Sequence, residues 1–210
     1  MQLHSPSLPW FVVVGCLSVG LGQSLGADNS LVLFRRWEIS LESEFSACAA
    51  IDVDQDGRLD IYCGDRWYQA PAWKRHRTRN VPQIRGRYDD YSNLPLDVDG
   101  DGWTDVISVN YRSKSLSWVR HPGSDGGQWS TFEIDRPGPS ETGRLADLNG
   151  DGELDILPNG IGFAAWYERV KPVVEADSPV RWIRHDLPSQ IASHGVGFGD
   201  IDGDGRGDLC

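Results

Sequence analysis

The chain has 210 residues, a formal charge of −11 and a hydrophobic fraction of 39%. That is enough apolar side chain to build a core, and the acidic balance excludes a nucleic-acid binder, which needs a basic face. Twenty-four Gly and twelve Pro favour many turns and short strands over long helices.

Residues 1–27 contain no Asp, Glu, Lys or Arg, and Leu8 to Leu21 is an apolar run of 14 residues, short for a membrane-spanning helix. Ser24-Leu25-Gly26-Ala27 follows as a cleavage region. The segment predicts a secretory signal peptide at 1–27. Lipoprotein processing at Val13-Val14-Gly15-Cys16 and an uncleaved anchor are the alternatives. The expected location is extracellular or periplasmic, with no membrane span once the signal is removed. Residues 28–210 are expected to form the mature domain, beginning with a lone strand at Phe34–Ser40.

A nine-residue pattern, D-x-[DN]-x-D-G-x-x-D, then occurs four times, starting at Asp52, Asp97, Asp147 and Asp200. Its acids or amides stand on alternate residues, so they can converge on one point. They are Asp52, Asp54 and Asp56; Asp97, Asp99 and Asp101; Asp147, Asn149 and Asp151; and Asp200, Asp202 and Asp204. The Gly at position 6 permits a sharp turn. Arg58, Trp103, Glu153 and Arg206 at position 7 can offer backbone carbonyls. Asp60, Asp105, Asp155 and Asp208 close the shell at position 9. An oxygen-only cage of this kind suits Ca²⁺ better than Mg²⁺, which demands stricter octahedral geometry. Four Ca²⁺ would add eight charges and bring −11 to −3, so the acidity reads as site chemistry.

The loops are not EF-hands, which need a bidentate acid at position 12 and flanking helices. Position 12 is Cys63, Ser108 or Pro158 in the first three copies. The flanks, such as Asp105-Val106-Ile107-Ser108-Val109, are short apolar runs that read as buried strands. Each loop is therefore expected at the tip of a β-hairpin joining strands A and B. Cys48 and Cys63 would face each other across the first hairpin, either as a disulfide or as two buried free thiols.

The copies are 45, 50 and 53 residues apart, a period that suits a four-stranded unit. Strand C is expected to carry Trp67, Trp118 or Trp166, and strand D Trp73, Trp129 or Trp182. Repeated four-stranded meanders predict an all-β fold, a β-propeller with calcium loops. Its blades would start near 44, 91, 140 and 193. The Trp residues are expected to pack between blades, with His76 and His185 structural. Six residues are inserted before the second loop.

Phe198-Gly199-Asp200-Ile201-Asp202-Gly203-Asp204-Gly205 resembles the strand-then-loop pattern of the FG-GAP/VCBS repeat family, the integrin-α-type β-propeller. The resemblance covers about residues 34–210. It implies calcium at the A–B hairpins, on the face opposite most ligand contacts, and seven blades in a typical complete domain. The chain is thus expected to be an N-terminal portion of a larger propeller, with further blades or domains beyond it; a minimal four-bladed ring with one three-stranded blade is the alternative.

The function expected is a secreted calcium-binding module that holds an extracellular glycan or protein. The D–A and B–C connections share one face in such a blade order. Arg85, Arg87, Tyr88 and Arg112 on those connections are the candidate ligand contacts. No catalytic residue is assigned: there is no G-x-S-x-G outside the expected signal peptide, where Gly22 to Gly26 matches it, there is no HExxH or CxxC, and five His do not form a triad pattern. A calcium-dependent polysaccharide lyase or hydrolase is the alternative, and a structural spacer in a larger surface protein is a third reading.

Overall fold

The computed structural model describes residues 35–170 and 180–210. The expected signal peptide and Phe34 lie outside the described residues. The chain divides into two compact units, Met1–Trp37 and Glu38–Cys210. In the described part of the first, the Arg35 guanidinium lies 4.0 Å from the centre of the Trp37 ring.

The second unit is all-β. Strands β1 (Ala49–Ile51), β2 (Asp60–Cys63), β3 (Arg66–Gln69) and β4 (Lys74–Arg77) form a first antiparallel sheet in that order. A small hairpin follows, β5 (Gln83–Ile84) with β6 (Arg87–Tyr88). The second sheet is β7 (Ser92–Leu96), β8 (Asp105–Val109), β9 (Leu116–Arg120) and β10 (Ser130–Asp135). The third is β11 (Gly143–Ala146), β12 (Asp155–Pro158), β13 (Ala165–Val170) and β14 (Arg181–Asp186). A last hairpin pairs β15 (Phe198–Gly199) with β16 (Asp208–Leu209). Among the described residues, no helix is long and apolar enough to cross a membrane.

The lone strand expected at Phe34–Ser40 is corrected. Residues 35–40 form no strand, and a strand exists only through ladder bonds to a neighbour. Strands β4 and β10 begin one residue after Trp73 and Trp129, so those two residues precede strand D instead of lying on it. Trp73 has a left-handed φ of 54°, which is incompatible with a ladder. Trp182 does lie on β14.

The core sits between successive sheets. Every residue of β8 is buried, because its two faces serve different neighbours. Val106 packs with Ala49, Ile51 and Tyr62 of the first sheet. Ile107 and Val109 point the other way, into a cluster with Ile156 and Tyr167 of the third. A strand covered on both faces reads as a continuous apolar run, which is how the sequence at 106–109 reads apart from Ser108, whose hydroxyl is held in a buried polar network. Each fully buried aliphatic side chain contributes about 1.5–3 kcal/mol. The first strands lie together, with β7 beside both β1 and β11. The fourth strands β4, β10 and β14 are largely exposed.

The Trp residues divide between two jobs. Trp129 belongs to the cluster between the first and second sheets, and Trp67 packs against it. Trp118 and Trp182 pack against the cluster between the second and third. The strand-C rings also pair within their own sheets, Trp67 and Trp166 in stacks and Trp118 tilted. Trp67 lies 4.4 Å from His76, Trp118 5.0 Å from Phe132 and Trp166 4.0 Å from His185. Each is a directly opposite cross-strand pair of the kind that stabilises a sheet. His76 and His185 are thus parts of ring stacks.

A buried polar network ties the first sheet to the second. Arg79, 5% exposed, meets Asp90, 1% exposed, at 2.7 Å. Ser108 Oγ and Asn93 Nδ2 also donate to the Asp90 carboxylate, each at 3.0 Å. Burial pushes the Asp90 carboxyl up, and the Arg79 guanidinium opposes this. Replacing one member of such a pair leaves a buried charge without compensation. Arg79→Met should therefore lower stability in urea by about 3 kcal/mol, with part of the loss recovered in Arg79→Met/Asp90→Asn.

The question left by the two cysteines has an answer. Cys48 and Cys63 are free thiols, one exposed and one buried. Burial pushes the Cys63 thiol up, and Ser43 Oγ lies 3.4 Å from its sulfur. Because the thiolate is the reactive form, a thiol reagent should label Cys48 promptly in the native protein and Cys63 only on unfolding. Equal labelling rates would contradict this assignment.

Candidate metal centre

All four acidic loops lie at hairpin tips, between β1 and β2, β7 and β8, β11 and β12, and β15 and β16. Their internal bonding repeats. The position-1 aspartates accept from the position-6 glycine amides: Asp52 from Gly57 and Asp97 from Gly102, both at 3.0 Å. Asp147 does so from Gly152 at 2.9 Å and Asp200 from Gly205 at 3.0 Å. The position-5 acids accept from position 7, from Arg58 and Trp103 at 2.9 Å and from Glu153 and Arg206 at 2.8 Å. These bonds curl the backbone around its own carboxylates.

The position-9 aspartate anchors each curl. Asp60, Asp105, Asp155 and Asp208 accept from the amides of Val53, Val98, Leu148 and Ile201, at 2.9–3.1 Å. The first three are fully buried and reach further. Asp60 accepts from the Ala70 amide at 2.7 Å. Asp105 accepts from the His121 amide at 2.7 Å and the Trp118 indole at 2.8 Å. Asp155 accepts from the Arg169 amide at 3.4 Å. Each thus ties a loop to the end of strand C.

The glycine turns explain a regularity that the nine-residue pattern left unspecified. Position 4 is left-handed throughout: Gly100, Gly150 and Gly203 have φ of 76°, 82° and 79°, and Gln55 has 57°. Glycine adopts this backbone freely, and a glutamine does so at a cost. The Gln55 side chain offsets that cost by donating to the Gly102 carbonyl at 2.7 Å, which links the first loop to the second.

Carboxylate oxygens converge in three of the loops. Asp52, Asp54 and Asp60 offer oxygens within 4.8 Å of one another, as do Asp97, Asp99 and Asp101, and Asp200, Asp202 and Asp208. Burial raises the Asp60 carboxyl, and neighbouring Asp54 and Asp56 add to the rise. Burial pushes Asp105 up to about 7, against the amide and indole donors that favour its ionised form. Burial likewise raises Asp155. Asp54 Oδ1 is buried with no hydrogen-bond partner. An orphaned acceptor beside like charges is an arrangement that a cation satisfies. The donor set, all oxygen, fits a hard divalent ion.

Basic groups also reach the loops, and the spacing of the acids gave no sign of them. Arg58 pairs with Asp56 at 3.0 Å. Arg120, at the end of β9, meets Asp99 at 2.6 Å and Asp101 at 3.4 Å. Arg169 of β13 pairs with Glu153 and also donates to the Asp97 carbonyl at 2.6 Å, so the third sheet holds the second loop.

The predicted ligand contacts lie elsewhere. Arg85 occupies the β5–β6 turn with φ 53° and is exposed. Arg87 and Tyr88 follow on β6, and the Tyr88 ring lies 4.7 Å from Phe45. The Arg112 amide donates to Asp89 at 2.8 Å, and its side chain donates to the Tyr91 hydroxyl at 3.2 Å. The insertion and the 110–114 turn are therefore joined on one face. Arg87 and Tyr88 line a cavity of about 250 Å³ with Glu44 and Tyr91.

Residues 97–157 match the family model described as an FG-GAP-like repeat. That span covers the second loop, strands β8 to β10 of its sheet, and the third loop with β11 and most of β12. Comparison with curated proteins gives no match.

Because Asp105 holds three donors at the base of the second loop, its loss leaves all three unpaired. Asp105→Ala should destabilise the chain by about 3 kcal/mol in a urea titration, more than exposed Asp101→Ala. Equal effects would contradict the anchoring role.

Proposed function

We propose that the chain is part of a calcium-stabilised β-propeller of extracellular type, and that it serves as a ligand-binding module without catalytic activity of its own. The FG-GAP-like repeat at residues 97–157 and the three face-to-face sheets with their first strands together support the propeller reading. In that reading each sheet is one blade and the β15–β16 hairpin begins a fourth.

The observation that carries the calcium reading is the repeated convergence of loop carboxylates, with one buried oxygen unpartnered. The ion would be held by side chains at positions 1, 3, 5 and 9 and by the carbonyl at position 7. In the third loop these are Asp147, Asn149, Asp151, Asp155 and Glu153. Bound calcium supplies positive charge that cancels repulsion among the acids. The chain supplies the curl, through the amide bonds described above. The exposed arginines Arg85 and Arg87 then offer a glycan or protein ligand a contact face remote from these acids.

An ion that binds only the folded state adds about 2.7 kcal/mol per site at a hundredfold excess over Kd. Excess chelator should therefore lower the melting temperature clearly, and Asp54→Ala and Asp202→Ala should each lower the calcium content measured after dialysis. A melting curve unchanged by chelator, with no calcium above background, would overturn the reading.

A further inference from the structure

We propose that the cavity between the outer half of the first sheet and the second acidic loop binds an acidic oligosaccharide, one whose sugars carry carboxylate or sulfate groups. The cavity holds about 670 Å³ and is lined by residues of β3 and β4, by Trp103 and by the 121–129 connection. That size is within the range of small-molecule sites. It is a different place from the Arg85–Tyr88 hairpin.

The walls are aromatic and already ordered. Trp67 and His76 form one stacked pair. Trp103 and His121 form another, 4.7 Å apart and 9° from parallel. The edge of Trp129 meets the His121 ring at 4.5 Å. Trp67, His76 and Trp103 each keep part of their surface in solvent. Rings fixed by their neighbours lose little freedom when a ligand arrives, and they present both apolar surface and N–H donors to a sugar. The remaining wall, 122–128, contains Gly123, Gly126 and Gly127 with φ of 71°, 66° and 105°. Without side chains there, a ligand can approach the backbone closely.

The charge is what sets the ligand class. In a chain of net charge −11, β4 reads Lys74-Arg75-His76-Arg77. Arg75 and Arg77 line the cavity. Among the described residues the Arg75 side chain makes no ion pair or hydrogen bond, and the Arg77 side chain bonds only to Asn80, at 2.5 Å. Their guanidinium groups are therefore not consumed by the fold. The same two arginines line a second cavity, of about 370 Å³, with Asp65 and Arg66. A ligand crossing the exposed edge strand would meet both, which suits a chain of sugars better than a single ring. Arginine forks bind carboxylate and sulfate oxygens in pairs.

Asp54 lines the cavity as well. Its Oδ2 accepts from Gln69 Nε2 at 2.5 Å, and Gln69 Oε1 accepts from His76 Nε2 at 3.2 Å. This chain orients the imidazole on the Trp67 ring. Its remaining oxygen belongs to the first acidic loop, so neutralisation of that carboxylate rests on the calcium reading above.

Titration of an oligoglucuronate trisaccharide into the chain in excess calcium, read by calorimetry and tryptophan fluorescence, should saturate. A sulfated disaccharide in a second titration identifies the preferred anion, and binding of either one supports the proposal. Maltotriose, which is neutral, should not bind. The double variant Arg75→Ala/Arg77→Ala should weaken binding by about tenfold or more with an unchanged melting temperature, while Arg181→Ala, at an exposed position of β14, should leave it intact. Arg75→Lys should recover only part of the affinity, because it restores charge without the fork. Failure of both anions to saturate, equal binding of maltotriose, or undiminished binding by the Arg75/Arg77 variant would overturn the proposal. Melting curves with chelator test the calcium reading separately, so the two can fail independently.

Discussion

The buried aspartate that ends each acidic loop is the constraint on which the first three sheets depend. Asp60, Asp105 and Asp155 stand at the first residue of β2, β8 and β12. Each accepts the amide of the loop's second residue and another donor from the end of strand C. One carboxylate thus closes the loop, starts the strand and aligns the third strand. Its burial is costly, which is why Asp105 is pushed up to about 7. The cost is tolerated because every buried lone pair that is filled avoids a desolvation penalty of about 1–3 kcal/mol.

From that anchor the rest is packing. Because β8 is fixed at its first residue, alternation sends Val106 toward the first sheet and Ile107 toward the third. Sheets stacked through such alternation share their cores, so each sheet relies on its neighbours to cover its apolar faces. The polar ties have the same logic. Arg79 spans from the first sheet's exit to Asp90 and Ser108, and Arg169 spans from the third sheet to the second loop. Loop geometry and sheet packing are coupled, so an ion held in one loop would stiffen contacts in the next.

The two faces of the unit carry different chemistry. At one, acids are gathered at hairpin tips and arginines such as Arg120 partly neutralise them. At the other, the β5–β6 hairpin and the 110–114 turn are held by Asp89 and Tyr91. Between the first and second sheets, a cleft of stacked rings is bordered by Arg75 and Arg77, which among the described residues form no ion pair, on the edge of a strongly acidic chain. Charge segregation of this kind costs little in folding when the groups are solvated, and it gives each region a different local potential.

Residues alone determined the hairpin loops, the all-β class and the four-strand order, because these rest on local rules. Alternating acids, a turn glycine and short apolar runs act within a few residues of one another. The matching Trp67–His76 and Trp166–His185 pairs were legible as a repeat, though not as stacks. Tertiary structure alone decided what lies far apart in the chain. It left residues 35–40 outside any sheet, put Trp73 and Trp129 before strand D, and kept Cys48 and Cys63 as thiols. It also brought Gln55 to Gly102, Arg120 to Asp99, and Arg75 and Arg77 to a cleft floored by Trp67 and Trp103. Such meetings depend on which faces two sheets present to each other, and a one-residue change of register would reverse every one of those faces.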